Sequence, residues 1–150
     1  MLLVVDFNVV FSSLIRKGVP YKVFLLNSLS KKFRFIAPEY VWEEFEFDKE
    51  RLLKESKYSK EEFEEILLFL KGEIEVVPEK EFLEFFPKAK EILGEEKKDA
   101  PYLALALAYN CKIFSGDKRL KKKIPELVVT PRELLDMLLG RRRENPALGI

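Results

Sequence analysis

The sequence predicts an α/β protein built on a five-stranded parallel sheet with helices on both of its faces. Three observations carry that expectation: five short apolar runs, helical periodicity between them, and turn or capping residues at their borders. Each parallel pair requires a crossover, and the right-handed preference of such crossovers distributes the helices over the sheet.

Leu2 to Val5 is uninterruptedly apolar, as a strand buried on both faces must be. Asn8 to Lys17 then carries Val9, Val10, Leu14 and Ile15 at helical spacing. A second helix after Gly18-Val19-Pro20 takes in Val23, Phe24, Leu25 and Leu26 and ends near Lys31-Lys32. Phe33 to Ala37 is the second strand, terminated by Pro38, from which a long helix runs to about Ser56. Ser59-Lys60-Glu61-Glu62 has the capping-box pattern ahead of Phe63, Ile66, Leu67 and Leu70, and Gly72 is the expected stop. Glu73 to Val77, closed by Pro78, is the third strand. Pro87 must interrupt or restart the helical stretch Phe82 to Leu93, and Gly94 to Lys98 is a polar loop.

Asp99 is placed to N-cap a helix over Ala100 to Asn110, its carboxylate accepting from the first-turn N–H groups. Lys112 to Ser115 is the fourth strand and Leu127-Val128-Val129 the fifth. Thr130-Pro131-Arg132-Glu133 then combines a capping box with proline at the first helical position, and that helix ends at Gly140. Residues 1–140 are expected to be one domain with a helical hairpin at about 46–71, followed by a basic, loosely held tail over 141–150.

A chain of 150 residues can bury roughly 70% of its extended surface, so no disulfide or structural metal is needed to hold it. The single Cys111 excludes an internal disulfide and is expected to be a core thiol in a cytoplasmic protein. No apolar run is long enough to span a bilayer, and Met1-Leu2-Leu3-Val4-Val5 lacks the basic region and cleavage site of a signal peptide. With 27 basic and 26 acidic residues the net charge is +1, so any nucleic-acid contact must come from local patches. Abundant Lys and Glu with few Asn and no Gln match the composition of proteins from very hot habitats.

The chain contains no histidine, yet four acids fall where this topology gathers residues at one end of a sheet. Asp6 ends the first strand, Asp117 follows the fourth, Asp99 opens a helix and Glu44 lies inside one. In an open parallel sheet, ligands bind beyond the carboxyl ends of the strands at the switch in strand order. At about 100° per residue, Glu44 lies within about 60° of the direction set by Val41 and borders the inward face, whereas Glu43 lies about 160° away and should be solvated. For each acid alone a bland role suffices: a turn for Asp6 or Asp117, a cap for Asp99, a surface charge for Glu44. Brought together they repel and raise one another's pKa unless a cation offsets them. Hard divalent ions such as Mg²⁺ or Mn²⁺ prefer such oxygen ligands and activate water for attack on a phosphodiester.

At these residues the sequence resembles the PIN-domain family of metal-dependent ribonucleases, which includes the toxins of bacterial and archaeal toxin-antitoxin pairs. Val4-Val5-Asp6-Phe7-Asn8-Val9-Val10 is similar to the family's first motif, and Pro38, Val41, Glu44 and Phe45 to its second. Asp99-Ala100-Pro101-Tyr102-Leu103-Ala104-Leu105-Ala106 resembles the third, and Ser115-Gly116-Asp117 with Leu120 the fourth. The resemblance implies a three-layer α/β/α sandwich, Mg²⁺- or Mn²⁺-dependent RNA cleavage by Asp6, Glu44, Asp99 and Asp117, and frequent homodimers, with an antitoxin protein as a further partner. It also implies supporting roles for Asn8, as a hydrogen-bonding neighbour of the first acid, and for Ser115, as an orienting hydroxyl. Many relatives carry an additional acid where this chain has Lys97-Lys98 or Lys118-Arg119, so a second metal is expected to bind weakly or only with substrate.

Lys118, Arg119 and Lys121 follow Asp117 closely and are candidates to hold RNA phosphates, with solvated loop charge as the competing role. Arg141 to Arg143 is first of all a loose segment, and Phe33, Phe35, Trp42, Phe45, Phe85 and Phe86 are core or interface before they are stacking platforms. The alternative to an enzyme is a catalytically weak or inactive module that binds RNA or protein. A phosphoacceptor receiver domain is disfavoured because Pro78 follows the third strand and Thr130-Pro131 the fifth, where an Asp and a Lys are required. No GxxxxGK[ST] or GxGxxG pattern is present.

Overall fold

A computed structural model describes residues 1–95 and 97–141. Five strands, β1 (Leu2–Val5), β2 (Arg34–Pro38), β3 (Ile74–Val77), β4 (Lys112–Phe114) and β5 (Val128–Val129), form one sheet in the order β3-β2-β1-β4-β5, every neighbouring pair parallel. Helices pack on both faces, giving the three-layer α/β/α sandwich expected. β1 is the central strand, and Leu3, Val4 and Val5 are completely buried, which is why this stretch is apolar without alternation.

One helical layer contains α1 (Phe7–Ile15), α2 (Val19–Ser30), α3 (Val41–Glu55), α4 (Lys60–Glu73) and α8 (Pro131–Leu138), packed around α1 and α2. Phe24 of α2 meets the sheet edge-on at Phe35, with ring centroids 5.1 Å apart, and touches Phe114 at 5.7 Å. Residues in register share a face, so Leu3, Val5, Phe35 and Phe114 point to this layer, while Val4, Ile36 and Ile113 point to the other. There α6 (Ala100–Tyr109) lies across β1, β2 and β4 with α5 (Phe86–Leu93) behind it. Sandwiched between sheet and helix, α6 is apolar nearly all round, and its alanines permit the close approach.

Several expectations are corrected at element ends. Pro38 is the last residue of β2 rather than the residue after it, tolerated because it sits at the strand's end. Gly72 does not stop α4, which continues through Glu73 and passes directly into β3 at Ile74. Ser59 accepts from the Glu62 N–H, but only the capping box at Thr130 and Glu133 is formed in both directions. Pro87 falls in the first turn of α5 and restarts the helix after two short 3-10 turns at Glu79–Glu81 and Leu83–Phe85. Cys111 is half-buried rather than a core residue. Burial still pushes its thiol up to about 11, so it is protonated and a poor nucleophile at neutral pH.

The hairpin of α3 and α4 is tied into the body of the domain. Phe45 and Phe63 stack between its helices at 6.2 Å. Its tip is held to α1 by the Tyr58 hydroxyl, which donates to the Ser13 carbonyl at 3.0 Å, and by the Lys57 N–H, which donates to the Ile15 carbonyl at 2.8 Å. Of the expected C-terminal tail, Arg141 is held to Asp136 by a backbone hydrogen bond of 2.8 Å and a side-chain ion pair at 3.8 Å, whereas 142–150 lies outside the described residues.

Candidate metal centre

The strand order fixes where a site can form. From β1 the chain builds β2 and β3 on one side, then crosses back to place β4 and β5 on the other, so the order reverses between β1 and β4. Loops leaving those two strands diverge, and the crevice between them is the ligand position of an open parallel sheet. Asp6 leaves β1 there, its N–H donating to the Phe114 carbonyl at 3.0 Å, and Ser115-Gly116-Asp117 leaves β4 beside it.

The four acids converge at this point. Asp6, Glu44, Asp99 and Asp117 line one cleft of about 180 Å³ together with Phe7, Asn8, Lys98 and Tyr102. Asp6 and Asp99 are buried and Glu44 and Asp117 half-buried, while Glu43 is exposed as the helical angle requires. Among the described residues no three carboxylates are drawn close enough to close an ion cage by themselves.

A chain of hydrogen bonds of forced polarity orients Asp6. The Gly116 N–H can only donate, and it donates to Asn8 Oδ1 at 3.2 Å, which turns Asn8 Nδ2 toward Ser115 Oγ at 3.2 Å. Ser115 Oγ also accepts from the Asp117 N–H at 3.1 Å, so both of its acceptor positions are used. Its single proton therefore goes to Asp6 Oδ2, at 2.7 Å. Asn8 thus supports Asp6 through Ser115 rather than directly, and Ser115, itself fully buried, links the loops of β1 and β4.

Asp99 and Asp117 have exchanged the capping role. Asp99 sits at the N-cap position of α6 without a side-chain capping bond, because a 3-10 turn over Lys97–Asp99 leads into the helix and holds Asp99 at φ −89°, ψ −3°. Side-chain capping needs an extended N-cap residue, and Asp117 has one, at φ −76°, ψ 112°. Its Oδ1 accepts from the N–H groups of Arg119 at 2.9 Å and Leu120 at 3.2 Å, starting the short helix α7 (Lys118–Lys123) where only loop was expected. Neither bond uses Oδ2.

Burial above all, with the charge of Asp117 adding to it, pushes Asp6 up to about 6, against opposing hydrogen bonds from Ser115 and the N–H groups of Phe7 and Asn8. Glu44 is raised as well, first by burial and then by the charges of Asp99 and Asp48. The bond opposing that rise comes from Tyr102, whose buried hydroxyl donates to Glu44 Oε1 at 2.8 Å. Tyr102 in turn is held far above the usual phenol range by burial and by the Glu44 carboxylate. Its place in the site was not anticipated, although its spacing of three from Asp99 puts both on one helix face.

The basic residues divide into two groups. Lys118 and Arg119 are exposed and, with Lys98, Asp99 and Asp117, line an adjoining cleft of about 240 Å³. Lys121 has a structural occupation: its ammonium donates to the carbonyls of Val128 at 2.7 Å and Pro125 at 3.2 Å and pairs with Glu133 at 3.2 Å. These bonds fasten α7 to β5 and α8, leaving Lys121 poorly placed for the phosphate-binding role expected of it. The aromatic side chains also follow the structural expectation, with Phe33, Phe35 and Phe45 in the core and Trp42, Phe85 and Phe86 packed against it.

The donor set suits a hard divalent ion. It is all oxygen, two members have their proton affinity raised by burial first and by neighbouring carboxylate charge second, and Mg²⁺ takes one or two carboxylates directly while keeping several waters, so a ready-made cage is not required. No curated protein matches the chain at a significant level. The family model of the PIN domain matches residues 4–125, a stretch that starts inside β1, takes in all four acids and stops only before β5 and α8, and the chain therefore belongs to the PIN-domain family.

Proposed function

We propose that the protein is a divalent-metal-dependent endoribonuclease that hydrolyses RNA phosphodiesters. PIN domains are generally nucleases, and the observation that carries the reading for this chain is the convergence of Asp6, Glu44, Asp99 and Asp117 in one cleft at the switch point of the sheet. A Mg²⁺ or Mn²⁺ ion held by these carboxylates, directly or through water, supplies the Lewis acidity that activates water and offsets phosphate charge.

The chain's own groups supply position and charge. Ser115 holds the Asp6 carboxylate in one orientation, and Tyr102 does the same for Glu44. Asp117 caps α7 through Oδ1, which leaves Oδ2 for the cleft and ties the acid to the start of the basic helix. Lys98, Lys118 and Arg119 stand beside the acids and can neutralise the phosphates of a bound strand through charge-assisted hydrogen bonds. With no histidine in the chain, proton transfer falls to water and to carboxylates of raised pKa.

The test is RNA cleavage with Mn²⁺ by the wild type and by Asp6→Asn. Loss of cleavage in a variant that still folds supports the reading, and undiminished activity overturns it.

A further inference from the structure

Two clefts meet at the acids, and carboxylates and cations are divided unequally between them. The cleft of about 180 Å³ carries all four carboxylates and, among the described residues, a single basic side chain, Lys98. The adjoining cleft of about 240 Å³ has only Asp99 and Asp117 as acids, against three cations, Lys98, Lys118 and Arg119. Lys98, Asp99 and Asp117 line both, so Lys98 stands at the boundary, whereas Lys118 and Arg119 line the outer cleft alone.

Two divalent ions can clamp a phosphodiester when they lie about 3.5–4 Å apart, one serving the attacking oxygen and one the departing oxygen. The acid cleft offers four carboxylates to a first ion. A second ion beside it would have to draw on the adjoining cleft, where no carboxylate is its own. Asp99 and Asp117 are shared with the first position, and Asp117 Oδ1 already accepts from the N–H groups of Arg119 and Leu120. Three cations would repel it. The second positive centre must then come from the chain itself. Lys98 fits that part: it is exposed and, among the described residues, makes no salt bridge. Its ammonium is a compact charge with three donors on a flexible stem, and the 3-10 turn that holds Asp99 also carries Lys98.

We propose that the protein works with a single divalent ion and that Lys98 is the second positive centre, its ammonium donating to an oxygen of the scissile phosphate. The proposal rests on the nuclease reading for the identity of the substrate. In hydrolysis the oxygen of water bonds to phosphorus and the bond from phosphorus to one ribose oxygen breaks. One proton of the water ends on that ribose oxygen, and the other leaves the new phosphate monoester for solvent. Negative charge grows on the phosphate and departing oxygens as the bond breaks, so a cation already in place there favours the transition state over the ground state.

The test counts ions as well as turnover. Mn²⁺ is titrated by calorimetry and by electron paramagnetic resonance, which tells isolated ions from spin-coupled pairs, and RNA cleavage is measured in parallel. The wild type should bind one tight ion without spin coupling. Lys98→Met should bind Mn²⁺ at least as tightly, because a cation has left the surroundings of the carboxylates, yet lose roughly a hundredfold in kcat, part of which Lys98→Arg should restore. Lys98→Glu, which adds a carboxylate to both clefts, should take up a second, spin-coupled ion. Melting curves in EDTA check that each variant folds. A coupled pair in the wild type, a single ion in Lys98→Glu, or undiminished kcat in Lys98→Met would overturn the proposal even if cleavage requires Mn²⁺. One ion in the wild type and two in Lys98→Glu, with no RNA cut by either, would uphold the ion count set by Lys98 and count against the nuclease reading alone.

Discussion

Asp6→Asn should make the metal-free protein more stable at neutral and alkaline pH, which is the reverse of what removing a structural carboxylate does. The Asp6 carboxyl is raised from its ordinary 3.8 to about 6, chiefly by burial. At about 1.4 kcal/mol per pKa unit, its ionised form is roughly 3 kcal/mol less favourable in the folded chain than in the unfolded one. The sign follows from the raised folded value: this contribution to stability is intact below pH 3.8, is lost as pH rises through about 6, and stays lost above it. Asparagine does not titrate, and its Oδ1 can still accept from Ser115. Urea denaturation in EDTA should therefore show the variant gaining on the wild type by about 2 kcal/mol between pH 4.5 and pH 8, most of it below pH 6.5. Taking the difference between the two chains cancels the titrating groups that do not interact with Asp6, including Glu133, whose opposite shift arises in its capping box and its pair with Lys121. Mn²⁺ should offset most of that difference, because an ion at a hundred times its dissociation constant stabilises the folded wild type by about 2.7 kcal/mol and should stabilise the variant, with one carboxylate fewer, by less. A stability difference that is flat across this pH range, or an equal Mn²⁺ gain in both chains, would refute the reasoning.

Four further substitutions separate the roles argued above. Ser115→Ala leaves Asn8 Nδ2 and the Asp117 N–H without their acceptor and Asp6 without its donor. It should cost about 1–3 kcal/mol in urea denaturation and move the Asp6 carboxyl resonance to a still higher titration midpoint; a lower midpoint would contradict the network. Tyr102→Phe keeps the ring and removes the bond to Glu44. Glu44 should then hold its proton more tightly, so calorimetry should show a larger loss of Mn²⁺ affinity near pH 6 than near pH 8, and a loss equal at both would count against that role. Lys121→Met should cost about 1 kcal/mol of stability with no change in the salt dependence of RNA binding. Lys118→Met should do the reverse, flattening the salt slope by about 0.7 at little cost in stability.

The parts of the fold that could be read from the sequence are those where a single physical signal dominates. β1 is four apolar residues ended by an acid, α6 is an apolar helix behind a polar loop, and Thr130 to Glu133 is a capping box with proline, so each had one reading. Glu44 could be told from Glu43 because helical angle alone decides which borders the core. Where two signals compete, the sequence was ambiguous. α7 has one buried apolar residue, Leu120, and forms because Asp117 caps it, which cannot be seen without the backbone angle after β4. Asp99 has the residue type of a cap but follows a 3-10 turn that takes the capping geometry away. Lys121 has the charge of a phosphate ligand, and only the approach of Glu133, Pro125 and Val128 in three dimensions shows that its donors are in use. Gly72 failed as a stop because β3 begins directly after Glu73 and no left-handed turn is needed.

The central claim is that Asp6, Glu44, Asp99 and Asp117 together hold a divalent ion at the switch point of the sheet. Anomalous diffraction from crystals soaked in Mn²⁺ tests it most directly. The account predicts a peak in the acid cleft at roughly 2.1 Å from a carboxylate oxygen of one or two of the four, with the others reaching it through ordered water. A soaked crystal in which Mn²⁺ binds only elsewhere on the surface, while the acid cleft holds no anomalous density, would contradict it.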